Sequence, residues 1–270
     1  MEKLMKSTNY PRTRESLQID LQNLGLEPGA RVLVHSSLSS MGWINGGEVA
    51  IIQALMDTVT DTGTIVMPSQ SVILSNPAEW ENPPVPRDWW KVIRDTMPAY
   101  DPIYTPTTGM GSVVEVFRSF PGVIRSSHPS YSFVAWGKDK EKIIANQSLN
   151  FSLGEQSPLA KLYDSDAHIL FLGTTYETCT AFHLAEYRVG YKKVMTKGAP
   201  LNLNGKRVWK EYQELEFREE LFEKLGQDFE AEYPVNIGIV GSAASRLIPL
   251  KVAVYFAEKW LNKHDQMLLY

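Results

Sequence analysis

The order strand–helix–strand near the start of the chain constrains the fold more than any other feature. Arg31 to His35 is a short apolar run that predicts a buried strand. The apolar segment from Glu48 to Thr58 predicts a helix, and Gly63 to Met67 predicts a second strand. A helix between two strands usually joins parallel neighbours in one sheet. We therefore predict an α/β fold with a mixed, largely parallel central sheet flanked by helices.

The rest of the chain continues this alternation. Helices are predicted at 14–24, 112–119, 138–145, 180–186, 215–231 and 249–263, strands at 132–136, 167–172 and 235–240, and a hairpin of 191–200 with 207–216 around Asn204-Gly205. Residues 75–108 hold seven prolines and three tryptophans and predict a long Trp/Pro-rich excursion with one short helix at 89–95. This excursion fits either a surface subdomain or a lid over a substrate. We predict that residues 1–270 form one domain that contains it.

The composition excludes several classes of protein. No apolar run approaches the ~18 residues of a transmembrane helix, and Met1–Lys6 leads into polar residues rather than into a secretory signal. Cys179 is the only cysteine, which excludes an intramolecular disulfide and fits the cytoplasm. A net charge of −4 lacks the basic character of a nucleic-acid binder. We expect no nucleic-acid or membrane partner, and the sequence indicates no oligomeric state.

The segment Thr180–Glu186 is the clearest candidate for chemistry. His183 and Glu186 are three residues apart, so in a helix both side chains leave the same face. A carboxylate beside an imidazole raises the basicity of the ring and fixes its orientation, which suits a general base near neutral pH. The same spacing also fits a half-buried histidine with a structural neighbour, and the spacing alone leaves both interpretations open.

Small polar residues follow three predicted strands, where open α/β sheets bind ligands. These segments are His35–Ser40, Pro68–Ser71 and Gly173–Thr175. The segment Thr107–Ser112 adds Gly-Met-Gly, and Ser112 with Glu115 predicts a capping box at a helix start. Hydroxyls and free N–H groups suit a phosphorylated or carbonyl-bearing ligand. Each segment alone also fits ordinary turn chemistry.

The patterns for other chemistries are incomplete. His128 could join His35, His183 and Glu186 in a metal site, but the second histidine of H-E-x-x-H is missing. A nucleophile elbow, G-x-S-x-G, does not occur. Cys179 shares no obvious pocket with a base, so we do not expect it to act as a nucleophile. The sequence therefore predicts no bound metal.

Several short motifs, taken in order along the chain, form a recognisable combination. The motifs are Val34-His35-Ser36-Ser37-Leu38 with Gly46-Gly47, Pro98-Ala99-Tyr100-Asp101-Pro102, Thr105-Pro106-Thr107, Gly109-Met110-Gly111, Phe120-Pro121-Gly122-Val123, Arg125-Ser126-Ser127-His128-Pro129, Ser132-Phe133, Gly154-Glu155-Gln156-Ser157-Pro158-Leu159 and His183-Leu184-Ala185-Glu186-Tyr187. In order and spacing these motifs resemble the aminoglycoside 3-N-acetyltransferase family. Each motif is modest, and it is the combination that is specific.

The resemblance implies acetyl transfer from acetyl-coenzyme A, without a metal, to the 3-amino group of the 2-deoxystreptamine ring of aminoglycoside antibiotics. Carried over residue by residue, it implies that His183 is the general base and Glu186 its partner. It implies that the coenzyme is bound by His35, Ser36, Ser37, Leu38, Thr107, Gly109, Met110, Gly111 and Ser112. Thr108 stands where many relatives have a basic residue, and many have a histidine near Asn146. These departures bear on coenzyme affinity rather than on the chemistry.

The implied acceptor is a cationic small molecule, so its site should be acidic. Glu214 and Glu216 would share one face of a predicted strand and are candidate substrate-binding residues, although a solvated strand edge is an equally simple interpretation. Donors near Thr174, Thr175 or Thr180 are candidates to stabilise the thioester oxyanion. Three alternatives stay open: an acetyltransferase acting on another amine, a metal-dependent hydrolase, and a coenzyme A-binding regulator without catalysis.

Overall fold

The computed structural model of the protein describes Met5 and residues 8–267. Most of Met1–Lys6, for which the sequence predicts no secretory signal, lies outside the described residues. The strands are β1 (Arg31–Ser36), β2 (Thr64–Pro68), β3 (Ile124–Arg125), β4 (Phe133–Gly137), β5 (His168–Leu172), β6 (Val194–Leu203), β7 (Lys206–Leu215), β8 (Asn236–Val240) and β9 (Ala243–Pro249). The helices are α1 (Arg14–Asn23), α2 (Gly47–Val59), α3 (Trp90–Thr96), α4 (Ser112–Phe117), α5 (Lys140–Ile144), α6 (Pro158–Asp164), α7 (Ala181–Arg188), α8 (Phe222–Glu232) and α9 (Leu250–Met267).

The central sheet has seven strands in the order β3-β4-β2-β1-β5-β9-β8. Strand β1 pairs in parallel with β2 and β5, while every outer pair is antiparallel. The predicted α/β class and mixed sheet are confirmed, with parallel pairing confined to the three central strands. Strand β9 was not predicted from the sequence, because it starts with Ala243-Ala244-Ser245, which has low β propensity. It follows β8 after a short turn and therefore runs antiparallel to it.

The sheet buries a separate hydrophobic cluster on each face, as alternation along the strands requires. On one face Leu33 and Phe171 pack with Phe182 of α7 and Phe222 of α8. On the other face Val32, Val34 and Leu170 pack with side chains of α1 and α2. His35 lies two residues after Leu33 in β1, so its side chain is on the α7 face. The fold thus brings His35 to the same side of the sheet as His183.

Strands β6 and β7 form a separate two-stranded sheet. Asn204 and Gly205 both have positive φ angles, +53° and +80°, as a tight turn of the I′ type requires. The predicted hairpin is therefore confirmed.

The Trp/Pro-rich excursion packs against this hairpin. The N–H of Tyr100 donates to the carbonyl of Pro200 at 3.0 Å, and Lys197 pairs with Glu79 at 3.1 Å. Its predicted short helix is α3. Among the described residues no helix combines the length and apolar character needed to cross a bilayer.

Candidate active site

A cavity of about 610 Å³ lies at the carboxyl ends of the three central parallel strands. This is where the crevice of an open α/β sheet accepts ligands. Its walls come from the segments after β1, β2 and β5, from the loop before α4, and from α7 and the start of α8. The lining residues are Val34, His35, Ser36, Ser37, Leu38, Ser39, Pro68, Gln70, Gly109, Met110, Gly111, Ser112, Val113, Val114, Thr174, Glu177, Thr178, Cys179, Thr180, His183, Glu219 and Phe222.

His183 and Glu186 lie on one face of α7, as their spacing predicts. The Nδ1 atom of His183 is 2.7 Å from the Oε2 atom of Glu186, and both side chains are only 3% exposed. The other oxygen of Glu186 accepts a hydrogen bond from the backbone N–H of Arg218 at 2.9 Å. The Arg218 side chain approaches the same oxygen at 3.5 Å. The carboxylate is thus fixed in position and fixes the ring.

The second ring nitrogen of His183 contacts a carboxylate that the sequence analysis did not identify. The Nε2 atom is 3.2 Å from the Oε1 atom of Glu219, whose side chain is 62% exposed. Phe217 and Phe222 pack on the ring with centroid distances of 4.2 and 5.0 Å. The imidazole therefore lies between two carboxylates in an otherwise apolar setting.

These contacts determine the protonation of His183. Burial alone lowers the pKa of the ring, but the hydrogen bonds to Glu186 and Glu219 outweigh burial and raise the pKa to about 9. The hydrogen bond to His183 likewise lowers the pKa of Glu219. The ring is therefore protonated at neutral pH in the ligand-free protein, whereas a general base near neutral pH was expected.

Glu219 was missed because the sequence predicts a helix over 215–231. In the structure Leu215 still belongs to β7 and the helix begins at Phe222. The residues between them form a turn that brings Arg218 to Glu186 and Glu219 to His183. This approach depends on tertiary packing, and the local pattern carries no signal for it.

His35 is a second buried imidazole in the wall of the cavity. Its ring stacks on Phe171 with centroids 5.5 Å apart. Burial, together with the charge of His183, lowers the pKa of His35 to about 3, so this ring is neutral. Within the described residues its buried Nε2 atom has no hydrogen-bond partner. An unpaired buried polar atom is uncommon and often marks a ligand site.

The structure brings together all but one of the predicted coenzyme-binding residues. His35, Ser36, Ser37, Leu38, Gly109, Met110, Gly111 and Ser112 line the cavity. Thr107 does not; its N–H and hydroxyl donate to Glu115 at 2.9 and 2.8 Å. Gly111 has φ +80° and ψ 166°, a conformation essentially restricted to glycine. A Cβ atom there would lie 3.8 Å from the carbonyl oxygen of Ser36, so the two loops approach closely.

The predicted capping box at Ser112 is wrong. The N-cap of α4 is Gly111, without a side-chain cap, and Ser112 is the first helical residue. Glu115 instead accepts hydrogen bonds from Thr107 and Arg118. Its carboxylate holds the loop before α4 rather than the end of the helix.

Arg125, which the sequence analysis named only as part of a motif, holds together two loops that lead to the cavity. Its buried guanidinium donates to the carbonyl oxygens of Ser69 and Thr105 and to the hydroxyl of Ser71. These bonds tie the segment that carries Gln70 to the segment that leads into Gly109. Burial lowers the pKa of Arg125, and neutral oxygens satisfy the charge.

The predicted acceptor residues do not face this cavity. Glu214 is fully buried, accepts hydrogen bonds from the N–H and hydroxyl of Ser152 at 3.0 and 2.5 Å, and is also bonded by Tyr187. Glu216 is exposed and pairs with Lys193 at 2.7 Å. Because Glu214 is committed to the core, the structure does not support a contact between it and a substrate. The carboxylates that line the cavity belong to Glu177 and Glu219.

The four residues of the hypothetical metal site do not converge. The Nδ1 atom of His128 accepts from the N–H groups of Ser130 and Tyr131 at 3.2 and 2.9 Å, and its Nε2 faces the carbonyl of Leu149 at 3.2 Å. Both ring nitrogens of His128 are therefore occupied by backbone groups and do not bond to His183. Over the part of the chain that the structure describes, no group of three or more His, Cys, Asp or Glu residues is arranged to hold a metal ion.

Cys179 and two of the candidate oxyanion donors line the cavity. The expectation that Cys179 shares no pocket with a base is wrong, because it lines the same cavity as His183. It is fully buried, and burial raises the pKa of its thiol, so the structure does not activate it as a nucleophile. Thr174 and Thr180 line the cavity, and Thr175 does not.

The fold and the site define an α/β enzyme whose central feature is a carboxylate-supported histidine in a cavity lined by hydroxyls and glycines. Residues 33–262 match the family described as aminoglycoside 3-N-acetyltransferase, and the chain belongs to this family. It is an acyltransferase.

Individual relatives resemble the chain over nearly its whole length. It is 61% identical to the SPbeta prophage-derived aminoglycoside N(3')-acetyltransferase-like protein YokD of Bacillus subtilis, with 98% of each chain covered. The crystal structure of YokD superposes with a TM-score of 0.98 at 60% identity, covering 98% of this chain and 99% of YokD. Aminoglycoside N(3)-acetyltransferase IX of Micromonospora chalcea is 32% identical, with 96% of each chain covered. A structure named AAC-IIIb binary with CoASH has a TM-score of 0.85 at 30% identity, covering 94% of this chain and 98% of that one.

Proposed function

We propose that this enzyme transfers an acetyl group from acetyl-coenzyme A to the 3-amino group of the 2-deoxystreptamine ring of an aminoglycoside, with His183 as general base. The observation that carries the proposal is the contact of His183 with Glu186, because His183 lines a cavity that is also lined by serines and glycines. We further propose that residues 1–270 act as one catalytic domain in the cytoplasm, where the single free thiol of Cys179 would stay reduced.

The cavity wall from Ser36 to Leu38 and from Gly109 to Ser112 would hold the coenzyme. These residues offer hydroxyls, and the N–H groups of Gly109 and Met110 make no hydrogen bond within the described part of the chain. None of the described lining residues is lysine or arginine, so neutral donors and solvent would meet the phosphates. The structure named AAC-IIIb binary with CoASH, which resembles this chain, supports the use of a coenzyme A compound. Acetyl-coenzyme A, when bound, supplies an acetyl group activated as a thioester.

His183 would remove the proton that prevents the acceptor from attacking. An aminoglycoside amine is mostly an ammonium ion at neutral pH, and Nε2 would accept one of its protons. The amine nitrogen then forms a bond to the acetyl carbon, the carbon–sulfur bond breaks, and the leaving thiolate takes up a proton, so one proton is released overall. Glu186 accepts the Nδ1–H and so leaves Nε2 as the basic nitrogen. A positioned base of this kind accelerates a reaction by about 10²–10⁴.

The oxygen of the reacting carbonyl gains negative charge and needs a hydrogen-bond donor. The hydroxyl of Thr174 lines the cavity and accepts a hydrogen bond from Thr178 at 3.2 Å, which leaves its own proton free to donate. Thr180 is the alternative donor in the same wall. A well-aimed donor stabilises such a transition state by about 3 kcal/mol.

The acidic side of the cavity suits a cationic acceptor. Glu177 and Glu219 line it, and the N–H of Glu177 donates to Glu223 at 3.3 Å, so a third carboxylate lies close by. Glu177 and Glu219, rather than Glu214 and Glu216, would therefore bind the acceptor. A carboxylate-rich wall attracts polyamines in general, which keeps a different amine acceptor as the second candidate.

The test is release of coenzyme A thiol from acetyl-coenzyme A in the presence of a panel of aminoglycosides and simple polyamines. The wild-type enzyme should acetylate at least one aminoglycoside, and mass spectrometry should place the acetyl group on the 3-amino nitrogen. His183→Ala should lose about 10²–10⁴ in kcat, with acetyl-coenzyme A binding near normal by calorimetry. Turnover confined to other amines would move the acceptor to the second candidate, and full activity of His183→Ala would remove the base from the mechanism.

A further inference from the structure

We propose that Glu219 is the residue that receives the ammonium group of the acceptor, and that it masks the reacting nitrogen of His183 until the acceptor arrives. This inference rests on the proposed acetyl transfer to an amine. It gives Glu219 two roles in one site: it positions the substrate, and it keeps the histidine from reacting in the ligand-free enzyme.

The masking follows from the two contacts of the ring. Nδ1 faces Glu186 at 2.7 Å and Nε2 faces Glu219 at 3.2 Å. An ionised carboxylate only accepts hydrogen bonds, so each ring nitrogen must carry a proton to bond to one. A ring with both nitrogens protonated is an imidazolium, and it cannot accept a proton from a substrate. The arrangement seen in the structure therefore holds the base in an inactive form.

The two carboxylates differ in how firmly they are held. Glu186 is 3% exposed and is bound by the backbone and side chain of Arg218. The side chain of Glu219 is 62% exposed and, within the part of the chain that the structure describes, bonds only to His183. Glu219 begins the one-turn 3₁₀ segment Glu219–Leu221. Glu186 is therefore a fixed partner, whereas Glu219 is free to exchange one cation for another.

A primary ammonium group is the cation that fits this exchange. It has the same charge as the imidazolium, and it must come close to Nε2 if His183 is to deprotonate it. When Glu219 pairs with the ammonium, the ring loses its second carboxylate, and burial, the largest influence on His183, then favours the neutral ring. The ring proton passes to solvent, and Nε2 becomes free to accept a proton from the ammonium. A neutral acceptor such as an alcohol would leave the imidazolium in place.

Among the described residues, no other charged group near His183 combines contact with freedom to move. Arg218, next to Glu186, is held by Asp265 of α9 at 2.5 Å. His35 of β1 is neutral, and Cys179 stays a thiol. Glu177 lines the cavity without contacting the ring.

The decisive experiment follows the titration of His183 by NMR in the protein without ligands, comparing wild type with Glu219→Gln. The matched control is Glu220→Gln, which removes the same charge from the neighbouring exposed residue; within the described chain Glu220 makes no ion pair. The midpoint of His183 should fall by about 1 pH unit in Glu219→Gln and stay unchanged in Glu220→Gln. Equal midpoints in wild type and Glu219→Gln would overturn the masking.

Steady-state kinetics then test the substrate role. With an amine that the enzyme acetylates as the varied substrate, Glu219→Gln should raise KM about tenfold or more, since a charged hydrogen bond is lost, and the rising limb of kcat/KM should move to lower pH. Glu219→Asp should recover part of the loss. An unchanged KM would refute the ammonium contact. A failure of turnover with every amine would instead refute the proposed function, because the NMR titration needs no substrate.

Discussion

Replacing Glu186 by glutamine removes one charge from the centre of the site and hardly changes its volume. In the native protein one oxygen of Glu186 accepts the Nδ1–H of His183 at 2.7 Å, and the other accepts the N–H of Arg218 at 2.9 Å. A glutamine has one acceptor oxygen and one amide that donates. If the oxygen stays with Arg218, the amide faces Nδ1, which must then be unprotonated.

This change reverses the tautomer of the ring. A neutral His183 with an unprotonated Nδ1 carries its proton on Nε2, the nitrogen that has to accept one from the substrate. The imidazolium formed during reaction also loses its buried counter-charge. We expect Glu186→Gln to lower kcat by about 10³, within the range that a positioned base contributes, which corresponds to about 4 kcal/mol of activation free energy.

The assay is thiol release at saturating acetyl-coenzyme A, measured from pH 6 to pH 10 with an accepted amine. The rising limb of the profile should move to lower pH, because the carboxylate that raises the pKa of His183 is gone. Glu155→Gln is the matched control. It removes one of the two carboxylates that pair with Arg188 of α7, at 2.6 Å, and leaves the contacts of His183 unchanged. If Glu186→Gln retains more than about a tenth of the wild-type rate with an unchanged profile, the role assigned to Glu186 is wrong.

Two further predictions concern stability and the coenzyme. Burial lowers the pKa of His35 to about 3 and that of His128 to about 4, so below the ordinary value of 6.5 the unfolded chain binds protons that the folded chain does not. The free energy of unfolding in urea should therefore fall as the pH drops from 6.5 towards 4. A flat profile over that range would contradict the neutral buried rings. Gly111→Ala places a Cβ on a backbone conformation that costs about 1–3 kcal/mol for residues other than glycine. Calorimetry should therefore show weaker binding of acetyl-coenzyme A. The control Gly190→Ala should bind like wild type, because a Cβ at Gly190 would meet nothing within 4 Å.

Local sequence patterns predicted the parts of this structure that are set by neighbours in the chain. The alternation of strands and helices gave the α/β class, and the paired Asn204-Gly205 turn gave the hairpin. The three-residue spacing of His183 and Glu186 placed both on one face of α7, because a helix of this length leaves no other arrangement. The rule that parallel strands end at the same edge of a sheet predicted one ligand site for the polar residues after β1 and β5, and Ser36 and Thr174 line one cavity. Gly109 was assigned to this site only by the resemblance to the family.

The patterns failed where one chain segment depends on another. Glu214 lies on β7 as expected and Glu216 follows the end of the strand, but packing against Ser152 buries Glu214 in the core. The apolar period after residue 215 favours a helix, yet the hairpin strand continues to Leu215 and the chain needs a turn before Phe222. That turn supplies Glu219.

The pairing of His183 with two unlike carboxylates links the stability of the resting site to its activity. With a folded pKa of about 9 and an ordinary value of 6.5, the protonated ring stabilises the fold fully below pH 6.5, and this contribution disappears as the pH rises through 9. The same charge that stabilises the ligand-free site prevents the ring from acting as a base. An acceptor that brings its own positive charge to Glu219 can replace the imidazolium without leaving that carboxylate unpaired. A cationic substrate is therefore suited to switching this histidine from a structural ion to a catalytic base.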